Sequence, residues 1–476
     1  MAEGRLLDRT DLGILGLGVM GENLVINLAS RGFRVTVYNR TPERTRRFIS
    51  RTNRDQEINA TFSPQEFVDS LESPKKILVM VQAGNATDAV LKQVSRFLSK
   101  GDVIMDGGNS FFRDTLRRSA WMKRQGVNYI GLGISGGEEG ARKGPCIMAG
   151  GPQSAYEQVE PILEKIVARV DGEPCLALLG PSAAGHFVKM VHNGIEYALL
   201  QLIAETYDIQ AVGLGLHESE IQKFFMSSNE AELGSYLMEI TLAVLAERNP
   251  GTNDPLLGVI LDKAAQKGTG AWASQTSMEL GVPVPSIDSA VAARNISAYK
   301  DERVRASTRL TSHPSQRGTV NSEKMLIRLH DALTCSWLIS YGQGFALIKK
   351  ASDEYGYNTD LSEVARIWRG GCIIRCKLLD KIRFALGSDA DLPNLVLDNA
   401  LTEMLQQGQE NWRLTVSDAK QLGVPIPSMS ASLDYYDSYR RHTLPANLIQ
   451  ALRDYFGAHT YERVDSKGQF HTKWPT

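Results

Sequence analysis

A glycine-rich turn near the N-terminus constrains the fold of this chain more than any other feature, and it comprises Gly16, Leu17, Gly18, Val19, Met20 and Gly21. It follows the apolar run Leu12–Leu15 and precedes a helix-like stretch, Asn23–Arg31. At this spacing the three glycines permit a tight turn, close approach of the backbone to a pyrophosphate, and helix–strand packing. We therefore predict a strand–turn–helix unit whose helix N-terminus binds a dinucleotide.

The first 180 residues alternate short apolar runs with amphipathic stretches. This alternation predicts an α/β unit, a Rossmann-type doubly wound sheet that is mainly parallel. The runs are Leu12–Leu15, Arg34–Tyr38, Lys76–Val81, Asp102–Met105, Asn128–Ile130 and Cys146–Met148. Long helical patterns replace them after Gly180, and 476 residues exceed what one core usually holds. We therefore place a first domain at 1–182.

An internal repeat marks the second part of the chain. The segment Leu280–Ser286 (LGVPVPS) recurs 142 residues later as Leu422–Ser428 (LGVPIPS), and each copy follows a tryptophan. Such self-similarity indicates duplication. We predict a large all-helical, duplicated domain at 183–441.

The last residues, 442–476, form a short C-terminal tail. Asn447–Phe456 can form a helix, and an irregular polar segment with several aromatic residues follows. Such a tail is poorly ordered unless it is tied down. We expect it to dock on its own body or on a second subunit.

Composition excludes several classes of partner. The net charge is −1 without a basic block, which gives no indication of a nucleic-acid or anionic membrane partner. Neither a signal peptide nor a long apolar segment is evident, so we expect a cytoplasmic protein. The five cysteines lack zinc-site spacing, so we expect reduced core thiols and no metal.

The residues after the second apolar run indicate which dinucleotide binds. A site for NAD normally has a carboxylate there, whereas this chain has Asn39, Arg40 and Thr41. A guanidinium can pair with the 2′-phosphate of NADP. NADP is therefore the expected cofactor, although Arg40 could instead be one more surface arginine beside Arg44.

The segment 185–197 carries polar side chains at helical spacing, namely Lys189, His192, Asn193, Glu196 and Tyr197. They share one helix face, which is either a solvated face or the wall of a site. In a site, Lys189 acts as a base only if its pKa falls from about 10.4 toward neutrality, and Glu196 delivers a proton at another stage.

Two further glycine-containing patches are candidates for ligand contacts. The stretch 133–140 is either an ordinary loop or a nest of backbone N–H groups that binds an anion. The stretch 106–109 follows a strand, at the edge where open α/β sheets bind ligands.

With these motifs assembled, the chain resembles the 6-phosphogluconate dehydrogenases along essentially its whole length. The motifs that carry the resemblance are GLGVMG (16–21), NRT (39–41), DGGN (106–109), ISGGEEG (134–140), GHFVKMVHNGIEY (185–197), KGTG (267–270) and RDYFGAH (453–459). The resemblance implies oxidative decarboxylation of 6-phosphogluconate to ribulose 5-phosphate with reduction of NADP. It implies that Lys189 is the base, Glu196 the acid, and that no metal takes part.

The resemblance also implies binding residues and an assembly. Substrate would be held by Asn109, Ser135, Gly136, Gly137, His192, Asn193, Tyr197, Lys267, Thr269, Arg294, Arg453 and His459. Cofactor would be held by the six residues of the glycine turn, Asn39, Arg40, Thr41, Val81, Gln82, Ala83 and Asn109. Arg453 and His459 would reach the neighbouring subunit's substrate, which implies a homodimer.

Two other functions remain open from the residues. A 3-hydroxyacid dehydrogenase shares the glycine turn and a helix that carries a lysine. By family resemblance, however, such chains lack the duplicated helical bundle and the C-terminal tail. A non-catalytic NADP-binding protein would be favoured by loss of Lys189 or Glu196, and both are present.

Overall fold

The computed structural model describes residues 9–52, 56–266, 268–310 and 320–475. The first unit is built on an eight-stranded sheet whose strands lie in the order β10-β7-β6-β5-β4-β1-β2-β3. The strands of this unit are β1 (Leu12–Leu15), β2 (Val35–Tyr38), β3 (Ile58–Thr61), β4 (Lys76–Val79), β5 (Val103–Asp106), β6 (Asn128–Ser135), β7 (Cys146–Gly150), β10 (Leu176–Leu178) and the small pair β8 (Arg169–Val170) and β9 (Glu173–Pro174).

Every neighbouring pair in the large sheet is parallel except β6 and β7. The mainly parallel sheet is thus confirmed. Sequence patterns missed β3 and β10, which are short. The fifth apolar run, Asn128–Ile130, predicted a strand that ends at Ile130. The corresponding strand β6 continues to Ser135, because the glycines within it pack closely against a helix.

Helices cover both faces of this sheet. Successive strand residues point to opposite sides, so Leu78 belongs to one apolar cluster and Ile77 to another. The helices are α1 (Val19–Ser30), α2 (Pro42–Arg51), α3 (Pro64–Asp69), α4 (Asn85–Val94), α5 (Phe112–Arg124), α6 (Gly137–Lys143) and α7 (Gln153–Ile166). This is the doubly wound arrangement that the alternation predicted.

The second unit is helical. Its helices are α8 (Ala184–Asp208), α9 (Glu218–Glu230), α10 (Tyr236–Ala246), α11 (Thr269–Leu280), α12 (Pro285–Ser297), α13 (Lys300–Arg309), α14 (Ser322–Tyr355), α15 (Leu361–Trp368), α16 (Leu378–Ser388), α17 (Asn399–Gln421) and α18 (Pro427–Tyr439). Within the described residues, no helix is both long enough and apolar enough to cross a bilayer.

The repeated motif occupies equivalent places in two halves, α8–α12 and α14–α18. In each copy a glycine with positive φ follows a helix: Gly281 (68°) follows α11, and Gly423 (72°) follows α17. A proline then begins the next helix, α12 or α18. Proline suits the first helical position because its missing N–H has no intrahelical partner there. The two proline-led helices then pack together, with Ser286 Oγ 2.7 Å from Ser432 Oγ.

The tail folds on itself. Helix α19 (Ala446–Gly457) is followed by a small hairpin of β11 (Tyr461–Glu462) and β12 (Gln469–Phe470). The carboxylate of Asp454 accepts hydrogen bonds from Thr460 N (2.9 Å), Thr472 N (3.0 Å) and Trp474 Nε1 (3.0 Å). The expected irregular segment is therefore wrong in part, because one buried carboxylate organises it.

Candidate active site

The glycine turn leaves a concave, open backbone between β1 and α1. Gly16 has φ of 106°, and a Cβ there would lie 2.4 Å from the carbonyl oxygen of Met80. A Cβ on Gly21 would lie 2.1 Å from the oxygen of Gly16, whereas one on Gly18 would meet no atom within 4 Å. The first and third glycines are therefore required by the protein's own packing. The second faces space that a ligand can enter.

The end of β2 supports this turn. Asn39 Oδ1 accepts a hydrogen bond from the backbone N–H of Leu17 at 3.2 Å, and its amide donates to the carbonyl of Thr41 at 3.1 Å. Arg40 lies exposed beside it. An exposed guanidinium next to free N–H groups at the start of α1 fits a dinucleotide with an additional phosphate.

The loops after β4 and β5 complete the same edge. A Cβ on Gly16 would lie 2.9 Å from Val81 Cγ1, and a Cβ on Gly108 would lie 3.1 Å from the oxygen of Val81. Asn109 is exposed on the second loop. The structure therefore brings the predicted residues Val81 and Asn109 to the edge that holds the glycine turn. Gln82 and Ala83 continue the loop after Val81.

Helix α8 lies against the sheet so closely that glycine is needed at the contact. A Cβ on Gly133 of β6 would lie 2.4 Å from Lys189 Cβ. A Cβ on Gly185 would lie 2.4 Å from the oxygen of Met148. This packing buries Lys189, His192 and Asn193, so the alternative of a solvated face is wrong.

A chain of polar contacts joins the side chains of this helix. Lys189 Nζ lies 3.4 Å from His192 Nδ1, which in turn lies 3.1 Å from Asn193 Oδ1 and 3.9 Å from Glu196 Oε2. The other ring nitrogen of His192 lies 3.1 Å from Ser135 Oγ, at the end of β6. The imidazole therefore lies between the amine and the carboxyl group, and its contacts with Lys189 and Ser135 link the amine to the sheet.

Burial shifts the pKa values of this group toward the uncharged forms. Desolvation lowers the pKa of Lys189, and the charge of Glu196 opposes that shift only in part. Desolvation raises the pKa of Glu196, with Lys189 and Arg294 opposing it. Desolvation and the charge of Lys189 place the pKa of His192 well below its ordinary value. A neutral amine and a protonated carboxyl group can thus coexist on one helix.

The glycine patch at 133–140 is only partly the loop that its composition suggested. Residues 133–135 belong to β6, Gly136 (φ 121°) and Gly137 (φ 62°) make the turn, and α6 follows. Residues other than glycine rarely adopt these φ values. The turn therefore presents backbone N–H groups beside Ser135, within reach of the α8 side chains.

A second cluster forms at the far end of the polar face. The guanidinium of Arg294 stacks on the ring of Tyr197, 3.5 Å from its centre. Thr269 begins α11, and a Cβ on Gly270 would lie 2.4 Å from the Tyr197 ring. A helix N-terminus and an arginine together suit a phosphate. The predicted phosphate ligand Lys267 lies outside the described residues.

Arg453 and His459 are not part of this grouping within one chain. Both lie exposed, on α19 and just after it. Arg453 donates to Gln450 Oε1 at 3.0 Å, and the ring of His459 packs on Phe456. Among the described residues, neither forms a hydrogen bond or ion pair with another predicted site residue.

Sequence patterns missed two contributors to the site. Gly133 was visible only as part of a glycine-rich patch, and nothing in the sequence showed that it faces Lys189. Trp368 packs its ring edge-to-face on His192, with centroids 5.6 Å apart, from a helix 176 positions later in the chain. Such contacts depend on tertiary packing and leave no local pattern.

A doubly wound sheet with an open glycine turn, facing a helix with a buried amine and a half-buried carboxyl group, defines a dinucleotide-dependent oxidoreductase. Comparison with known proteins specifies which. Sequence models match residues 11–180 as "NAD binding domain of 6-phosphogluconate dehydrogenase" and residues 185–474 as "6-phosphogluconate dehydrogenase, C-terminal domain". The chain belongs to the 6-phosphogluconate dehydrogenase family.

Relatives match over nearly the whole chain. The NADP(+)-dependent, decarboxylating 6-phosphogluconate dehydrogenase of Bacillus subtilis is 50% identical over 98% of this chain and 100% of its own. The decarboxylating 6-phosphogluconate dehydrogenase of Synechocystis is 48% identical, over 98% of each chain. The Plasmodium falciparum 6-phosphogluconate dehydrogenase, solved as apo form, with its cofactor NADP+ and with its substrate 6-phosphogluconate, is 40% identical with a TM-score of 0.94 over 98% of this chain and 100% of its own.

Proposed function

We propose that this protein catalyses the oxidative decarboxylation of 6-phospho-D-gluconate to D-ribulose 5-phosphate and CO2, with reduction of NADP to NADPH. The observation that carries the proposal is the pairing of buried Lys189 with half-buried Glu196 on α8, whose pKa values shift in opposite directions. The decarboxylating relatives match over nearly the full chain. A site that can hold a neutral base and a protonated acid suits a reaction that moves protons in both directions.

The first step oxidises C3 of the substrate. NADP, when bound, supplies the nicotinamide ring that accepts the hydride from C3. The neutral amine of Lys189 removes the proton from the C3 hydroxyl, so that the carbon–oxygen single bond becomes a ketone. Burial prepares this amine because it disfavours the ammonium form. His192 and Asn193 are placed beside the amine to orient the hydroxyl groups.

The second step breaks the bond between C1 and C2. The ketone at C3 accepts the electron pair that the departing CO2 leaves, and the ammonium of Lys189 protonates the oxygen. An enediol results. The carboxyl group of Glu196 then protonates the carbon that becomes C1 of the ketose, while the enediol hydroxyl returns its proton to Lys189. A proton passing from Lys189 to Glu196 restores the starting forms.

The two ends of the substrate have separate binding groups. Ser135, Gly136 and Gly137 bind the carboxylate at the turn before α6, and Asn109 approaches from the sheet edge. Tyr197, Thr269, Arg294 and Lys267 bind the phosphate. This assignment is supported by the stack of Arg294 on Tyr197 and by the start of α11 at Thr269.

The glycine turn, with Asn39, Arg40, Thr41, Val81, Gln82 and Ala83, binds NADP. Arg40 contacts the 2′-phosphate and so distinguishes NADP from NAD. Replacing Arg40 by Gln removes a charge-assisted hydrogen bond, of about 1.5–3 kcal/mol, and should raise the KM for NADP by roughly 10- to 100-fold. The KM for NAD should stay unchanged, and an unchanged KM for NADP would contradict the assignment.

The protein forms a homodimer in which the tail of each subunit completes its partner's site. Support comes from the exposed positions of Arg453 and His459 and from exposed apolar side chains on α19, namely Leu448, Ile449, Leu452 and Phe456. The chain divides into 1–182, 183–441 and 442–476, and it acts in the cytoplasm. Truncation before Arg453 should abolish the dimer or sharply raise the KM for substrate.

The deciding experiment is a steady-state comparison. Purified protein is assayed with NADP or NAD, and with 6-phosphogluconate or 3-hydroxyisobutyrate, without added metal. We expect NADPH and CO2 in equal amounts from NADP and 6-phosphogluconate. Turnover of 3-hydroxyisobutyrate alone would instead indicate a 3-hydroxyacid dehydrogenase.

A further inference from the structure

A buried ionic cluster lies directly behind the sheet edge that carries Asn109. Asp106, the last residue of β5, accepts hydrogen bonds on Oδ2 from Ser110 Oγ and Tyr129 OH, both at 2.7 Å. Its Oδ1 accepts the backbone N–H of Gly108 at 3.1 Å. Asp106 therefore holds Gly108 and Ser110, the residues on both sides of Asn109, while Asn109 itself remains exposed.

The partner of this carboxylate is an arginine without solvent contact. The side chain of Arg118 on α5 is 0% exposed, and its Nη1 lies 3.0 Å from Ser110 Oγ and 3.4 Å from Asp106 Oδ2. Its Nη2 donates to the carbonyl of Gly84 at 2.9 Å, and its Nε donates to Asp88 Oδ1 at 2.7 Å. One planar guanidinium thus joins the loop after β5 to the loop and helix after β4.

These two loops are the ones that carry Val81 and Asn109. A buried ion pair is weak evidence for stability, because desolvation can cost as much as the attraction gains. A guanidinium that bonds to three separate segments instead restricts their relative positions. Burial and Asp106 raise the pKa of Tyr129 strongly, and the charge of Arg118 opposes that rise only in part, so the phenol keeps its proton and remains a donor.

We propose that Arg118 is a positioning residue that, through Asp106 and Gly84, sets the distance between the two loops that carry the cofactor residue Val81 and the substrate residue Asn109. The proposal rests on the proposed function. It adds Arg118 to the residues assigned to the site, although Arg118 would contact neither the cofactor nor the substrate. The sequence of α5 is typical of a charged, solvent-exposed helix.

The test compares Arg118→Lys with Arg117→Gln. Lysine keeps the charge but cannot bond to Gly84, Asp88 and Ser110 at once. Arg117 is the matched control because it also bonds to Asp88, at 2.7 Å, but is exposed and reaches neither loop. For each folded variant, the Kd for NADP is measured by isothermal titration calorimetry and kcat and KM by steady-state assay.

For Arg118→Lys we expect a Kd for NADP raised at least about tenfold and kcat lowered about a hundredfold, the size of effect that small misplacement of reacting groups produces. Arg117→Gln should stay within twofold of the wild type. A folded Arg118→Lys protein with wild-type Kd and kcat, or equal losses in Arg117→Gln, overturns the proposal.

Tyr129→Phe decides the matter if Arg118→Lys does not fold, since it removes a single donor to Asp106. It should raise the Kd for NADP severalfold in the same direction, and an unchanged Kd and kcat overturns the proposal. If the wild-type protein binds NADP but does not turn over 6-phosphogluconate, the proposed function fails, while the Kd comparison still tests the positioning role.

Discussion

The two halves of the helical unit share a helix order but differ in what covers their long helices. Gly270 packs on Tyr197 of α8 as Gly408 packs on Cys335 of α14, each at a spacing that would place a Cβ within 2.6 Å. Aligned by this contact, Lys189 corresponds to Ile327. Lys189 is buried under the sheet, whereas Ile327 is 64% exposed. The two halves thus have the same helix order, but the candidate site lies only on α8, where the sheet of the first unit excludes solvent.

The largest effect should come from exchanging these two positions. Lys189→Ile removes the proposed base and should lower kcat by about 10⁴-fold, the upper range for general acid–base catalysis. The Kd for NADP should stay near the wild-type value, because Lys189 is not among the residues assigned to the cofactor. The reciprocal control Ile327→Lys adds an exposed charge and should leave both quantities unchanged. Substantial turnover by the Lys189→Ile protein would refute its role as base.

A smaller loss of kcat should follow from a substitution that forces β6 of the sheet and α8 slightly apart. Gly133→Ala places a Cβ against Lys189, and the required shift should lower kcat about a hundredfold. Gly408→Ala makes a comparable clash with Cys335 in the other half and should lower stability by about 1–3 kcal/mol without reducing kcat. Equal kcat in the two variants would show that the sheet contact does not position the amine.

The burial of Lys189 should also be visible as a stability cost. Its pKa is lowered on folding, so the unfolded chain binds more protons and stability rises with pH up to about 10.4, the unfolded value. Lys189→Ile should therefore raise Tm by a few degrees at neutral pH. This difference should shrink as pH approaches 10, as followed by circular dichroism. A difference that grows with pH would contradict a lowered pKa for the buried amine.

The smallest effect concerns the contacts that join the halves. Glu205 of α8 accepts the N–H groups of Ser428 and Met429 at the start of α18, whereas Gln343 of α14 accepts that of Ser286 at the start of α12. Burial raises the pKa of Glu205 to about 7. Each long helix therefore caps a helix of the other half. Helix α8 does so with a titratable carboxyl group, and α14 does so with an amide that does not titrate.

Glu205→Gln makes the two contacts alike. A carboxyl group with a raised folded pKa binds more protons when folded, so the wild type should lose stability relative to Glu205→Gln as pH rises from about 4.3, the unfolded value, to about 7. Above that pH the difference in Tm should be constant. A pH-independent difference between the two proteins would show that Glu205 is ionised throughout.

Much of the fold could be predicted because it depends on local patterns. Short runs of three to six mostly apolar residues became strands, and the repeated Leu-Gly-Val-Pro segments became equivalent helix junctions. The glycine turn was predictable for the same reason, since Gly16 needs a positive φ whatever surrounds it. The strand β3 was missed because Asn59 and Thr61 interrupt its apolar pattern, and β10 was missed although its three residues are apolar.

The face of α8 shows where local patterns end. Helical spacing places Lys189, His192 and Glu196 on one side, so the amino-acid sequence alone shows which groups lie together. It could not decide between a solvated face and a site, because solvent is removed by Gly133 and Trp368, which are remote in the chain. The direction in which each pKa shifts depends on the tertiary structure, since desolvation is set by what packs around a group rather than by its neighbours in sequence.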